Sequence, residues 1–504
     1  MGPFSGAGAN AAKTARAASN GVVFWPACLV LAAALMFGGA ARQGLASDAI
    51  PELAALPLLA VALPRALPAL ARHAGALALV IGVVALPCAQ LIPLPPSVWS
   101  GLPGRAIVAD VVAAIGAPPS WRPMSLIPSA TWRALLSLLP AVAMFVAALS
   151  LDRRARGLLL RLVVLIGAAS VVVALLQVLG GQQSAMYVFD VVNVGKGVGF
   201  FANSNHFGAL QVALLPLTAV TLAELRPRSP PFVIALIGGG VPALLLGLSL
   251  SGSRSAVVLG GLALAATLPL LLAPELARPR RPRFVALVPV LAIALPPLMA
   301  EVGMPQILAR FSEIDIAEDA RWTVAASAFA GAASAFPFGM GVGTFPGAYP
   351  LHERVVDILP QFVNRAHDDA LETLFEGGAM SGVLGLGFIV WLSRATFHAL
   401  AGDPIVDRRQ ARAGALVMWL LLLHSLWDYP LRTIALETLF GLCAALQFAP
   451  PPPSPHAPPF RWPRWRRRKH RRRRGPSARL PGPPTIRRGE MKINPMNTPD
   501  RSWI

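Results

Sequence analysis

The chain has 504 residues, of which 55% are hydrophobic and only 13% are charged. Soluble domains usually carry about 25% charged residues, so this composition excludes an ordinary soluble protein and predicts a polytopic membrane protein. The formal net charge is +20, and much of it follows residue 450, where fifteen lysines and arginines accompany two acids. The cysteines Cys28, Cys88 and Cys443 lie in apolar runs, without the spacing of a metal site or a disulfide framework.

Twelve apolar runs are long enough to cross about 30 Å of hydrocarbon as helices. They predict an all-α membrane domain over residues 22–449, between a cytoplasmic segment of residues 1–21 and a tail of residues 450–504. The run at 53–70 is the weakest, because it contains three prolines and Arg65. The runs lie at residues 22–41, 53–70, 74–92, 131–150, 157–179, 205–224, 231–248, 255–273, 284–300, 376–397, 411–427 and 432–449.

Basic residues identify the cytoplasmic loops, since lysine and arginine concentrate on that side of the membrane. With the N-terminus in the cytoplasm, alternate connections carry arginine clusters and the loops between them carry few. This pattern puts the loops at 93–130 and 301–375 outside, in the periplasm of a Gram-negative cell. The clusters contain Arg72, then Arg153, Arg154 and Arg156, then Arg226 and Arg228, then Arg278, Arg280, Arg281 and Arg283, and then Arg408, Arg409 and Arg412.

The tail from Pro451 is rich in proline and then contains the block RWPRWRRRKHRRRR. It has no apolar period, which predicts disorder. Such a block binds nucleic acid non-specifically, or attracts anionic lipid headgroups by about 1 kcal/mol per basic residue. Because the block adjoins a predicted span, we expect lipid headgroups as its partner and no specific nucleic acid.

Two polar clusters lie at the outer ends of predicted spans. In the segment from Lys196 to His206, Asn203 and Asn205 either cap a helix or leave backbone N–H groups free to bind an anion. The short turn LSLSGSRSA places Arg254 at the membrane boundary, where an arginine is costly unless it snorkels or has a partner. We therefore expect Arg254 to bind a phosphate group, which a guanidinium grips bidentately.

The loop at 301–375 contains Arg310, Arg321 and the glycine-rich stretch FPFGMGVGTF. The alternating glycines resemble a phosphate-binding loop, but no predicted strand precedes them and no GKS or GKT follows. This context favours a tight turn or a hinge over a nucleotide site.

The same loop ends in NRAHDDALETLFEGG, where His367 is the candidate general base. A helix that starts near Ala366 would put His367 on one face with Leu371, Leu374 and Gly378. Asp368, Glu372 and Glu376 would lie on a neighbouring face, and Arg365 directly precedes the helix. Asp368 and Asp369 are acidic neighbours, but no other ligand set accompanies them, so no metal site is expected.

The turn HSLWDYPLR joins the last two predicted spans. It contains Asp428 and, four residues later, Arg432. A structural ion pair between these two side chains is favoured over a direct role for Asp428 in chemistry.

Six segments, in order, resemble the O-antigen ligase/polymerase family of bacterial inner-membrane proteins. The resemblance covers roughly residues 85–445, and the region from Asn203 to Gly382 carries the most specific motifs. The segments are QLIPLPPSVW, GFFANSNHFGA, LSLSGSRSA, ARWTVAASAFAGAASAFPFGMGVGTF, NRAHDDALETLFEGGAMSG and HSLWDYPLR.

The resemblance implies a GT-C-like membrane glycosyltransferase that works at the periplasmic face without a metal or other cofactor. Such enzymes move a glycan from undecaprenyl diphosphate to a hydroxyl of an acceptor, such as lipid A-core or another glycan. The resemblance implies that His367 is the base and that Arg254 and Arg321 hold the diphosphate. Asp368 departs from the family pattern, in which asparagine or serine commonly follows the histidine, and the basic tail lies outside that pattern.

Two alternatives stay open. A polymerase of glycan repeats, from the same family, shares the donor chemistry and differs only in the acceptor. A transporter of lipid-linked glycan would place charged residues and broken helices near the bilayer midplane. The polar clusters here lie at outer helix ends instead, and only Arg65 with the prolines of 53–70 suits a transporter.

Overall fold

The computed structural model describes residues 5–41, 44, 46–225, 240–268, 316–358, 362–401 and 408–449. These residues are mostly helical, and two short strands, β1 (Pro93–Leu94) and β2 (Arg122–Pro123), pair antiparallel. The helices are α1 (Ser5–Phe37), α2 (Ala46–Arg72), α3 (Ala74–Gln90), α4 (Pro96–Trp99), α5 (Ala106–Ala114), α6 (Pro128–Ser150), α7 (Arg153–Leu179), α8 (Ser204–Ala223), α9 (Gly240–Ser251), α10 (Arg254–Thr267), α11 (Ile316–Ser334), α12 (Phe345–Ala348), α13 (Asp369–Ala401), α14 (Arg409–His424) and α15 (Ile434–Ala445). Single 3-10 turns cover Gly181–Gln183, Tyr349–Leu351, Val355–Asp357 and Pro430–Arg432.

Five of the described helices are long and apolar enough to cross a membrane, namely α2, α6, α7, α8 and α13. Shorter apolar helices are Gly21–Phe37, α3, α10 and α15. The all-α prediction is confirmed, and these helices support a membrane protein. The predicted span at 284–300, Arg310 and the tail at 450–504 lie outside the described residues, as does the first half of 231–248. The count of twelve spans therefore stays a prediction.

Helix α8 forms the centre of the helical bundle. All residues of its apolar 18-residue stretch are buried inside the protein, whereas only 28% of the corresponding stretches of α2 and α13 are buried. A helix that is apolar on all sides belongs in an interior, and α8 packs against α7, α9, α10 and α14. Asn203 caps this helix, because its side-chain oxygen accepts a hydrogen bond from the backbone N–H of Asn205 at 2.8 Å. The central helix therefore begins at one of the polar clusters singled out in the sequence.

Helix α2 includes the run at 53–70, which the sequence left as the weakest span. The chain forms one continuous helix there despite four prolines within it. Its buried face is built from small and branched residues that pack against α1 and α6. Spacings of three and four residues put these side chains on one stripe, which explains why packing outweighs the prolines. The stripe contains Ala55, Leu58, Ala62, Ala66 and Leu70.

Helix α13 is broken near its N-terminal end at Gly378, where φ is +58° and ψ is −144°. This backbone conformation is open to glycine and strained for residues with a Cβ. The backbone of the glycine-rich turn at 336–345 forms hydrogen bonds with the backbone of α13 on both sides of the break. The bonds run from Met340 N to Phe375 O (2.9 Å), from Gly341 N to Glu376 O (2.8 Å) and from Ala379 N to Pro337 O (2.8 Å).

The buried side chain of Gln90, at the end of α3, fixes the same turn from the other side. Its Nε2 donates to Glu376 O at 3.0 Å, and its Oε1 accepts from Val342 N at 2.8 Å. Its backbone oxygen accepts from Ser125 N at 2.9 Å, which attaches the segment at 93–130 to this point. The bonding favours a fixed turn over the hinge that the glycines suggested.

We predict that Gly378→Ala destabilises the protein. A Cβ at this position would lie 2.2 Å from Pro337 O, and the positive φ is itself strained for alanine. We expect a loss on the order of 1–3 kcal/mol, measured as a lower thermal unfolding midpoint of the purified protein in detergent. Gly385→Ala on the same helix is the matched control, since a Cβ there meets nothing within 4 Å. Equal midpoints for the two variants would contradict the assigned role of the break.

Candidate active site

His367 and Asp428 form a hydrogen-bonded pair where the start of α13 meets the turn after α14. Nδ1 of His367 lies 3.2 Å from Oδ1 of Asp428. The Asp428 side chain is 1% exposed, whereas that of His367 is 29% exposed. One edge of the imidazole is therefore held by a buried carboxylate, while the ring stays accessible from outside.

The backbone of His367 adopts the left-handed conformation, with φ at +55°. Within the described ranges it is the single residue other than glycine with a positive φ. Such a conformation costs a histidine energy, and residues held in it by their surroundings cluster at functional sites. The strain therefore singles out His367 on grounds independent of its chemistry.

The predicted helix start near Ala366 is wrong, because α13 begins at Asp369. Asp368 is the residue before it, and its Oδ1 accepts from Ala370 N at 2.9 Å and from Leu371 N at 3.0 Å. These bonds make Asp368 the N-cap of the helix. His367 thus lies outside the helix rather than on one of its faces.

The electrostatics of Asp428 keep it ionised at neutral pH. Burial alone would raise the pKa of Asp428, but its hydrogen bond with His367 and the nearby imidazoles of His206 and His424 outweigh burial. The net effect holds the pKa of this carboxyl below its usual range. An ionised carboxylate only accepts hydrogen bonds, so it selects the His367 tautomer with the proton on Nδ1. Nε2 of His367 then carries a lone pair that can accept a proton.

Tyr429 is the second element of the site. Its ring stands edge-to-face against those of His206 and His367, at centroid distances of 4.7 Å and 5.0 Å. Its hydroxyl oxygen accepts from the side-chain amides of Asn203 at 3.4 Å and Asn364 at 3.3 Å. Burial and the Asp428 carboxylate raise the pKa of Tyr429 to about 12, so the hydroxyl stays protonated. The predicted cluster at Asn203 therefore meets the loop of His367 through one tyrosine.

Arg254 is the first residue of α10 and is half-buried. Its neighbour Ser255 lies with Oγ 3.0 Å from Nε2 of His424, at the end of α14 and four residues before Asp428. Arg321 in α11 acts electrostatically on the same His424. The fold thus places the start of α10, with Arg254, and the Arg321 side chain near the end of α14, which the turn with Asp428 follows.

The predicted ion pair between Asp428 and Arg432 is wrong. Arg432 instead contacts three acidic side chains in the first turns of α13. Their charges, opposing the lowering effect of burial, hold the pKa of Arg432 well above its usual value. The contacts are Nε to Asp369 Oδ1 (3.1 Å), Nη1 to Glu376 Oε2 (2.6 Å) and Nη1 to Glu372 Oε1 (3.5 Å).

Arg365 belongs to this ionic cluster rather than to an open binding surface. Its side chain is 2% exposed, and its Nη1 lies 2.7 Å from Glu372 Oε1. Asp369 also accepts from Ser425 Oγ at 2.7 Å, which ties α13 to the end of α14. Both Asp368 and Asp369 therefore make hydrogen bonds within the protein. In the part of the chain that the structure describes, no three potential metal-ligating side chains converge.

Three residues of the site were not singled out from the sequence: Tyr429, His206 and His424. Both ring nitrogens of His206 and Nδ1 of His424 are buried without a hydrogen-bond partner. All three lie within segments that had been marked as polar clusters. Their residue types could have marked them as candidate site residues in the sequence. Their convergence on Asp428 could not be predicted, because it depends on the packing of α8 against α14.

Comparison with known proteins yields no assignment. No protein-family model matches the chain, and no curated protein matches it. The functional argument therefore depends on the geometry of the site and on the sequence motifs.

We predict that Arg432→Gln destabilises the protein strongly, by about 3–5 kcal/mol, because it leaves buried carboxylates without their shared cation. The measurement is the thermal unfolding midpoint in detergent. Arg354→Gln is the control, since Arg354 pairs with Asp357 while 72% exposed, and such surface pairs contribute about 0–1 kcal/mol. If Arg432→Gln unfolds no earlier than Arg354→Gln, the ionic cluster does not hold α13 in place.

Proposed function

We propose that this chain is an O-antigen ligase-type glycosyltransferase of the bacterial inner membrane. It transfers a glycan from an undecaprenyl-diphosphate carrier to a hydroxyl of lipid A-core or of another glycan, at the periplasmic face. The pairing of an accessible, strained His367 with the buried Asp428 is the observation that carries the proposal. The resemblance of the six sequence segments to the O-antigen ligase/polymerase family supports undecaprenyl-diphosphate glycan as the donor and glycan transfer as the reaction.

The reaction is a displacement at the anomeric carbon with inversion. The acceptor oxygen forms a bond to that carbon while the bond to the phosphate oxygen breaks. Nε2 of His367 takes the acceptor proton, and Asp428 stabilises the imidazolium that results. Arg254 and Arg321 hold the departing diphosphate and stabilise its charge, so the step proceeds without a metal.

The membrane frame of the proposal is a GT-C-like domain of about twelve spans over residues 22–449. The loops at 93–130 and 301–375 face the periplasm, as the distribution of arginines indicates. The tail at 450–504 attaches to anionic lipid headgroups on the cytoplasmic side. Asn203, Asn205, Arg310, Arg365 and Asp368 support the site, and the contacts of Asn203, Arg365 and Asp368 indicate that they do so by fixing its backbone and side chains.

We predict that His367→Asn lowers glycan transfer by about 10²–10⁴-fold, the usual contribution of a general base. Asparagine tolerates a positive φ, so the protein should stay folded in the membrane. The assay follows transfer from purified undecaprenyl-diphosphate glycan to lipid A-core in detergent. His352→Asn, in the same loop and packed on Phe375, is the control and should transfer at nearly the wild-type rate. Near-normal transfer by His367→Asn would refute the assignment of the base.

We predict that Asp428→Asn lowers kcat while leaving KM for the donor nearly unchanged. An amide can donate to Nδ1 and so favours the wrong tautomer of His367, without altering the diphosphate contacts. The measurement is the initial transfer rate over a range of donor concentrations, with the unfolding midpoint recorded alongside. A rise in KM with unchanged kcat would place Asp428 in donor binding instead.

Glycan profiling of a deletion strain separates ligase from polymerase and from transporter. Loss of a ligase leaves long glycans on the carrier lipid, whereas loss of a polymerase leaves single repeats. Purified protein that moves lipid-linked glycan across a vesicle without breaking the diphosphate linkage would support a transporter. We expect unattached long glycans, restored to lipid A-core by the wild-type gene and not by the His367→Asn allele.

A further inference from the structure

A cavity of about 650 Å³ lies between α3 and α13, away from His367 and Asp428. On α13 its lining extends over seventeen residues, from Val383 to Ala399, and the sixteen helical steps between them cover about 24 Å. Half of a bilayer, including its headgroup region, is about 20–23 Å thick. The cavity therefore has the length of one lipid leaflet.

Small residues keep this cavity open. A Cβ added at Gly75 of α3 would meet nothing within 4 Å, and one added at Gly387 of α13 would meet only Leu79, at 3.4 Å. Ala78 and Ala395 line the cavity between them. Larger side chains at these positions would fit without displacing backbone. The cavity is therefore open because these residues are small, and not only because the helices stand apart.

The two ends of the cavity differ in charge. The start of α3 and the last turns of α13 meet at one end, which carries His73, Arg394, His398 and Arg408. Leu79, Val383 and Leu384 lie toward the other end. No aspartate or glutamate is among the residues that line it, all of which belong to the described chain. The cavity thus pairs an apolar channel with a basic mouth.

Among the described residues, the two arginines of the mouth, Arg394 and Arg408, have few partners. Arg408 donates from Nη1 to His398 O at 3.1 Å, but its Nε is buried and has no hydrogen-bond partner. The structure's described residues include no acid within salt-bridge distance of Arg394. A guanidinium at a membrane boundary is costly unless an anion or water meets it. A lipid phosphate provides that anion bidentately.

Aromatic rings mark the boundary between the mouth and the channel. Phe448 stacks against Trp391 at 5.9 Å and contacts the His73 ring at 4.5 Å. Tryptophan rings such as that of Trp391 settle at the level of lipid headgroups. Their position indicates that a headgroup belongs at the basic end and acyl chains in the apolar part.

We infer that this cavity binds one anionic phospholipid of the cytoplasmic leaflet, with its phosphate on Arg394 and Arg408 and an acyl chain along Val383–Trp391. The inference rests on the proposed topology for the name of the leaflet, and it is independent of the transfer reaction. The tail that follows Ala449 is disfavoured as the occupant, because its basic block has the same sign of charge as the mouth.

The test counts lipids that stay bound to the purified full-length protein, by native mass spectrometry. Phosphatidylglycerol is compared with phosphatidylcholine of the same acyl chains, so that the two lipids share the phosphate and the chains and differ in the headgroup and in net charge. Wild type should retain one phosphatidylglycerol and little phosphatidylcholine. Each of Arg394→Gln and Arg408→Gln should weaken this binding roughly fivefold, as about 1 kcal/mol per basic residue implies.

Two further variants separate the cavity from the surface. Gly387→Leu should block the apolar channel and abolish retention with an unchanged unfolding midpoint. Arg154→Gln, an exposed arginine of α7 outside the cavity, removes a charge from the same side of the membrane and should retain the lipid. Retention by Gly387→Leu, equal retention of phosphatidylcholine, or equal losses in Arg154→Gln and Arg394→Gln would overturn the inference. So would loss of the lipid only when the arginines at 461–474 are changed to glutamine, since that outcome assigns the lipid to the tail.

Discussion

One guanidinium, that of Arg432, joins the start of α13 to the turn between α14 and α15. It joins three carboxylates of the first turns of α13 to the turn that carries Asp428. Because those carboxylates are buried, each would be costly without a shared cation. Replacement of such a cluster by apolar residues often preserves stability, so its value lies in fixing one arrangement. Here that arrangement joins the start of α13, which directly follows His367 and Asp368, to the turn that carries Asp428.

Further hydrogen bonds surround the start of α13 and the turn that carries Asp428. Gln90 and the glycine-rich turn bind the backbone on either side of the break in α13. Tyr429 connects the cap of α8 to Asn364, three residues before His367. These contacts hold His367 in a conformation that histidine would otherwise avoid. In the proposed reaction, a base held in this way would need no reorganisation when the acceptor binds, and preorganised sites gain rate by avoiding that reorganisation.

The helical and apolar character of the fold could be predicted from the sequence, because the length of an apolar run is a local property. The orientation that the arginines indicate stays a prediction. The start of α13 could also have been predicted, since Asp368 is a typical N-cap residue ahead of an apolar period. The partner of Asp428 could not, because His367 is 61 residues away and the two meet only through tertiary packing. Spacing favoured Arg432 as the partner of Asp428, but a 3-10 turn at Pro430–Arg432 replaces the α-helix in which residues four apart face each other.

The central claim is that Asp428 acts on glycan transfer through His367. A double-mutant cycle with Asp428→Asn and His367→Asn tests it most directly, with single-turnover transfer rates of the four purified proteins as the measurement. If Asp428 orients and stabilises the base, adding Asp428→Asn to His367→Asn should cause no further loss of rate. If the two losses multiply instead, Asp428 works independently of His367, and the paired site described for this protein is wrong.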